Sequence, residues 1–308
     1  MSELALQKEV ASNNFEIVTP NYIESNKREQ LELLREFLLT KKIEGCSMAT
    51  LRNYHLRIGK LITTSEKDVR DLNAKELRAW LYNYQETHNC SNRTLNNMRL
   101  ILSSFYRFLE DEDYVLKSPM RKIHSIKYDE VIKIPFTDEE LERIRKATDN
   151  PRDLLIVDLL YSTGMRIGEL VTRDIKDVDF REREILVKGK GGKERICYFN
   201  AKSKLELLDY LDCREDRNPA LIVKRRYPHE RISIQSVEKM LKEVEKRSGV
   251  QDVHPHRFRR TLATNLLNKG MTLEQVQNIL GHTKIETTLI YAQIDKSEIK
   301  RAHQKYTF

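Results

Sequence analysis

Apolar residues recur every three to four positions over long stretches of the chain, and the first such stretches predict four amphipathic helices. The first covers residues 28–43, with Leu31, Leu34, Phe37 and Leu38 as its stripe. The second opens at Ser47 and carries Leu51, Tyr54, Ile58 and Leu61. A third opens at Asn73, where Glu76 completes a capping box, and buries Leu77, Trp80, Leu81 and Tyr84. The fourth opens near Ser91 and carries Leu95, Met98, Leu102, Phe105 and Leu109. Residues 1–27 hold no sustained period and read as an arm. Between residues 114 and 134 the period lapses again, and Pro119 and Pro135 disfavour helix both at themselves and just before. That segment reads as a basic interdomain linker, so the expected division is 1–27, 28–113, 114–134 and 135–308.

The second half begins with a hydrophobic staple and capping box at Phe136, Thr137, Glu140 and Leu141. A helix near 151–162 is apolar almost throughout, through Leu154, Leu155, Ile156, Val157, Leu159 and Leu160, and should be central. Gly164 ends it, and Met165-Arg166-Ile167-Gly168-Glu169-Leu170 starts another. Over residues 181–200 the period changes to two. Ile185 and Val187, then Ile196, Tyr198 and Phe199, flank the turn Gly189-Lys190-Gly191-Gly192 as a hairpin. Two further amphipathic helices follow at 203–214 and 233–247, with the short apolar run 220–223 between them. The predicted fold is therefore mainly α with one small β-sheet.

The last helices carry the densest candidate chemistry. Pro255, His256 and Arg259 stand in a first helical turn, where His256 and Arg259 share a face and the helix N-terminus favours anions. Thr272 and Gln275 cap a helix bearing Leu273, Val276, Ile279 and Leu280, which Gly281 stops. His282 follows at that corner, and Tyr291 falls about two turns into a next helix capped by Thr283 and Glu286.

P-H-x-x-R at 255–259, L-G-H at 280–282 and Tyr291, in that order, closely resemble the second motif box of the tyrosine recombinases, the integrase and Xer-type family. S-T-G-M-R-I-G-E-L at 162–170 resembles the family's first box, whose arginine maps to Arg166 and acidic residue to Glu169. G-K-G-x-K-E-R at the hairpin resembles the β-hairpin bearing the mobile catalytic lysine, which maps to Lys190; Lys188 and Lys193 are its substitutes. The resemblance implies a helical, SAM-like core-binding domain followed by a mixed α/β catalytic domain. It implies catalysis by Arg166, Lys190, His256, Arg259, His282 and Tyr291, with Glu169 in support. Tyr291 would form a 3′-phosphotyrosine link on duplex DNA, with no cofactor or ATP. A homotetramer on two paired sites is implied, with the tail of one subunit docking on another. Arg260 departs from the histidine that many relatives carry, and Asn265 lies at a similarly variable helical position.

Composition narrows the picture only a little. Lys+Arg 55 against Asp+Glu 47 gives a net charge of +8 and a pI near 9.1, which favours a polyanionic partner. Candidate backbone contacts on DNA are Arg52, Arg93, Arg99, Lys122, Lys188, Lys193, Arg225, Arg226, Lys239 and Arg260. The four cysteines form no C-x-x-C pair, and His254, His256 and His282 lack a carboxylate or cysteine at ligand spacing, so no metal site is expected. No apolar run approaches the ~20 residues of a membrane span. The N-terminus holds no signal pattern, so a cytoplasmic, nucleoid-associated protein is expected. Two other readings remain: a type IB topoisomerase-like enzyme using the same cleavage, and a non-catalytic DNA-binding regulator. Integration, excision and dimer resolution are not separable from sequence.

Overall fold

The computed structural model describes residues 25–129, 134–188 and 194–281. The chain divides into two compact units, Met1–Glu130 and Val131–Phe308. The first contains α1 (Ser25–Ile43), α2 (Met48–Thr64), α3 (Ala74–His88) and α4 (Asn92–Asp111). Ser47, Asn73 and Ser91 each sit in extended backbone and accept a hydrogen bond from the first turn that follows, which starts α2, α3 and α4 where the pattern expects. Asn73 and Glu76 form the full reciprocal box. The predicted stripes meet in one core, where Phe37 packs edge-on against Phe105 at 5.4 Å and 77°. Each such ring contributes about 2–3 kcal/mol by leaving water. Tyr106 is wholly buried in that core and donates its hydroxyl proton to the Val69 carbonyl at 2.8 Å.

Residues 114–127, part of the expected linker, pack on the first unit. Pro119–Lys122 form a 3₁₀ turn, and Met120 and Ile123 join the first unit's core. The Ile126 amide donates to Asn96 at 3.1 Å, and Asn92 donates to the Lys127 carbonyl at 3.1 Å. A sequence without helical period still buries apolar side chains when neighbouring amides satisfy its backbone.

The second unit comprises α5 (Asp138–Lys146), α6 (Pro151–Thr163), α7 (Ile167–Val171), β1 (Val178–Asp179), β2 (Glu184–Lys188) and β3 (Glu194–Tyr198). It continues with α8 (Ala201–Asp212), α9 (Ile234–Ser248), α10 (Pro255–Asn268) and α11 (Leu273–Leu280). The strands form one antiparallel sheet in the order β1-β2-β3, with Val187 opposite Arg195 and Ile185 opposite Cys197. α6 is central as expected, with Leu155, Ile156, Val157, Leu159 and Leu160 all buried. Its buried Asp158 takes two hydrogen bonds from Arg145, at 2.7 and 2.9 Å, which satisfies a charge an apolar helix could not otherwise hold.

The inward face of β3 is the one that carries Cys197. Cys197, and Phe199 beyond the strand end, are buried, whereas Ile196 and Tyr198 are exposed at 41% and 51%. Arg195 shares the inward face, because alternate residues of a strand point the same way. The chain enters this unit through a clamp on α10. The Phe136 amide donates to Thr261 Oγ1 at 2.9 Å, and the Arg257 guanidinium lies 4.0 Å over the Phe136 ring. Arg257 also donates to the Ile134 carbonyl at 3.1 Å and to Glu140 at 3.1 Å. Among the described residues no helix is long and apolar enough to cross a membrane.

Candidate active site

Three helix ends meet where the candidate residues gather. α6 ends at Gly164 in the left-handed region (φ +59), where a Cβ would stand 2.8 Å from Leu262 Cδ2 and 2.9 Å from Leu280 Cδ2. Only a glycine lets α10 and α11 close on that end. Arg259, one turn into α10 and 3% exposed, uses the junction. It donates to the Gly164 carbonyl at 2.6 Å and to the Leu280 carbonyl. Both acceptors are carbonyls at helix C-termini, whose partial negative charge suits a buried guanidinium. His256 is exposed at the start of α10, where Pro255 takes the first position and His254 the cap, and the two imidazoles are 6.5 Å apart.

Arg166 occupies the N-cap of the five-residue α7. A guanidinium cannot accept the hydrogen bonds of a cap, so Glu169 does the capping. Its Oε2 accepts from the Arg166 amide at 2.7 Å, and its Oε1 accepts from Arg166 Nη1 at 3.0 Å. The other terminal nitrogen of Arg166 donates to the Gly281 carbonyl at 3.4 Å. Arg166 and Arg259 thus reach consecutive carbonyls of the 280–281 corner, immediately before His282, from opposite ends of the second unit's sequence. The Arg166 side chain remains 41% exposed.

Sequence reasoning quoted Arg195 in a motif but gave it no role. The structure shows it in a two-pronged pair with Glu169, Nη1 to Oε1 at 2.7 Å and Nη2 to Oε2 at 2.8 Å. The available signal was a cation on the inward alternation of a strand, a position that demands a buried partner. Burial raises the Glu169 pKa, but the Arg195 hydrogen bonds, the Arg166 amide and the charges of both arginines outweigh it and lower it to about 2. The carboxylate is therefore ionised at any working pH. Burial pushes the neighbouring Cys197 thiol up to about 11, which leaves it inert.

Lys190, Lys193, His282 and Tyr291 lie outside the described residues, as does the tail expected to dock between subunits. Lys188 closes β2 and pairs with Glu194 at 3.3 Å. In the first unit Arg52 is exposed, and Arg93 lies 5.6 Å over the Tyr128 ring. Arg99 is half-buried and donates to Asn96 at 3.0 Å and to the Ile123 carbonyl at 3.5 Å. Lys122 is exposed while its carbonyl accepts from Arg78 at 3.1 Å. Arg225, Arg226 and Lys239 are exposed. Arg260 departs from the expected surface contact: it is only 8% exposed. The reason is that α10 is buried on every face between Phe258 and Thr264. Asn265, one position further, donates to the Tyr161 hydroxyl at 3.0 Å.

The arrangement concentrates guanidinium groups around one carboxylate, and Arg166 and Arg259 offer planar, fixed donors. Such a site suits an oxyanion that gains charge as it reacts. Residues 135–298 match the model of the Phage integrase family, and residues 33–115 match that of Phage integrase, N-terminal SAM-like domain. A tyrosine recombinase XerA of Pyrococcus horikoshii is 31% identical over 278 residues, covering 89% of this chain and 93% of the relative. A tyrosine recombinase XerC of Oceanobacillus iheyensis is 32% identical over 252 residues, covering 77% and 81%. Among solved structures, a XerH site-specific recombinase bound to palindromic difH substrate matches with a TM-score of 0.70 at 21% identity, covering 92% of this chain and 90% of that one. A lambda integrase tetramer bound to a Holliday junction matches with a TM-score of 0.70 at 20% identity, covering 96% and 88%.

Proposed function

The chain belongs to the phage integrase family and is a tyrosine-type site-specific DNA recombinase, and from that premise we propose that it cuts and rejoins duplex DNA through a 3′-phosphotyrosine on Tyr291. In the proposed step the Tyr291 oxygen attacks the scissile phosphorus as the bond to the 5′ oxygen breaks. A phenol with a pKa near ~10 needs its proton removed, and His256 is the base assigned to it. Arg166 and Arg259 hold the nonbridging oxygens, with His282 donating beside them. Lys190 delivers the proton that the departing 5′ oxygen requires. The new ester conserves the energy of the one it replaces, so a 5′ hydroxyl reverses the step without ATP.

The observation that carries this reading is the pair of arginines meeting at the corner before His282, one of them buried and one open to solvent. The buried Arg259 is held before any DNA arrives, so little reorganisation is left for the reaction itself. Exposed Arg52, Arg225, Arg226 and Lys239 suit contacts to backbone phosphates, which position a duplex without reading its bases. We extend the proposal to a homotetramer acting on two paired sites, with the tail exchanged between subunits, in dimer resolution or in movement of a mobile element.

The test is to incubate the enzyme with DNA from its own source and denature it in detergent. Wild type should leave protein on 3′ ends opposite free 5′ hydroxyls, and Tyr291→Phe should bind equally and leave none. Adduct formation by Tyr291→Phe would move the nucleophile elsewhere, with Tyr306 the next candidate.

A further inference from the structure

We infer that Arg195 is a positioning residue of the cleavage reaction: its fork fixes Glu169, and through it Arg166, while its stem occupies the space that Gly281 leaves at the corner before His282. The inference rests on the recombinase reading above. Arg195 lies on β3, five residues after Lys190 in the sequence, and its side chain ties that strand to α7 and to the end of α11. Its two terminal nitrogens meet the two Glu169 oxygens at 2.7 and 2.8 Å, and those same oxygens hold the Arg166 amide and guanidinium at 2.7 and 3.0 Å. A carboxylate held from both sides cannot swing, and neither can the arginine attached to it.

The contact at the corner is equally specific. Arg195 Nε donates to the Ile279 carbonyl at 3.4 Å. A Cβ on Gly281 would stand 2.7 Å from Arg195 Cδ and 2.9 Å from its Nε, and the Gly281 φ of +63 already favours glycine. The glycine therefore serves a contact as well as a helix stop. With its fork committed to Glu169 and its Nε to the Ile279 carbonyl, Arg195 acts on the site through Glu169. A lysine would keep the charge but lose the two parallel bonds.

Two substitutions separate positioning from mere support. Arg195→Met keeps the unbranched stem and removes the fork; Arg195→Lys keeps the charge. The probe is a nicked duplex built on the sequence recovered from wild-type adducts, and single-turnover cleavage is followed from pH 8 to pH 4.5. Arg195→Met should bind this duplex within about twofold of wild type and cleave it on the order of 10- to 100-fold more slowly. Its rate should fall further as pH drops, because a buried Glu169 without its partner takes up a proton. Arg195→Lys should regain part of the rate and most of the lost acid tolerance. In a double-mutant cycle, Gly281→Ala should cost far less in an Arg195→Ala background than in wild type, since the Cδ and Nε that its Cβ would meet are then gone.

A loss that is equal at every pH and not relieved by lysine overturns the inference, as does additivity in the cycle or wild-type cleavage by Arg195→Met. Should Arg195→Met fail to fold, Arg195→Lys carries the test, with cleavage as fast as wild type the overturning result. Absence of any wild-type adduct overturns the recombinase reading, and this inference with it. A silent Arg195 variant beside an active wild type overturns only the inference.

Discussion

Replacing Glu169 by glutamine removes one charge and keeps the shape, which isolates the carboxylate that Arg195 and Arg166 share. Its pKa is lowered from the ordinary 4.5 to about 2, so its ionised form contributes about 3 kcal/mol to the folded state. The sign follows from the lowered value. The contribution is complete above pH 4.5, declines as pH falls towards 2, and is roughly halved at pH 3. Glu169→Gln should therefore destabilise the second unit by about 3 kcal/mol at pH 7, and the gap to wild type should close to about half at pH 3. Urea is the denaturant to use, since guanidinium would screen the pair. Trp80 is the only tryptophan and belongs to the first unit, so its fluorescence should follow a transition that the variant leaves in place. Far-ultraviolet ellipticity reports both units and should carry the shift. A difference below about 1 kcal/mol at pH 7, or one that persists undiminished at pH 3, would refute the assignment of Glu169 as an ionised partner of these arginines.

Arg259→Ala should lower single-turnover cleavage on the order of 10²–10³ while leaving the duplex bound, and near-wild-type cleavage would reject its role at the phosphate. Lys190→Ala should regain cleavage on a substrate whose bridging 5′ oxygen is sulfur, because a thiolate leaves without a proton; rescue of Lys193→Ala instead would reassign the lysine. Gly164→Ala should cost about 1–3 kcal/mol in urea unfolding, through positive φ and contact with Leu262 and Leu280, and a cost below about 0.5 kcal/mol would mean that α10 and α11 yield easily there.

Local chemistry made much of this legible in advance. The caps at Asn73, Thr137 and Thr272 act over three residues, and the stripes of α1 to α4 over one or two turns, so both can be read along the chain. The motif around Arg166 likewise announced Glu169 three residues on. What escaped notice depends on distance in sequence. Arg195 meets Glu169 across 26 residues and Ile279 across 84, and no periodicity records such a meeting. On β3 the inward position of Arg195 was not legible, because a charged residue is rarely buried unless paired and its partner lies 26 residues away. Arg260 misled for a related reason: its surroundings come from the packing of α10 on other elements, not from its neighbours in sequence.

The clamp formed by Phe136, Arg257 and Thr261 has a consequence for anyone wishing to graft one binding unit onto another's chemistry. Residues 134–137 are written twice into the second unit, once as the chain's entrance and once as part of the surface that steadies α10. A chimera cut between Pro135 and Thr137 would sever that brace and disturb the helix that carries His256 and Arg259. One cut between residues 130 and 133 would leave every bond of the brace intact. The exchangeable seam of this protein thus lies a few residues upstream of where the helical pattern resumes.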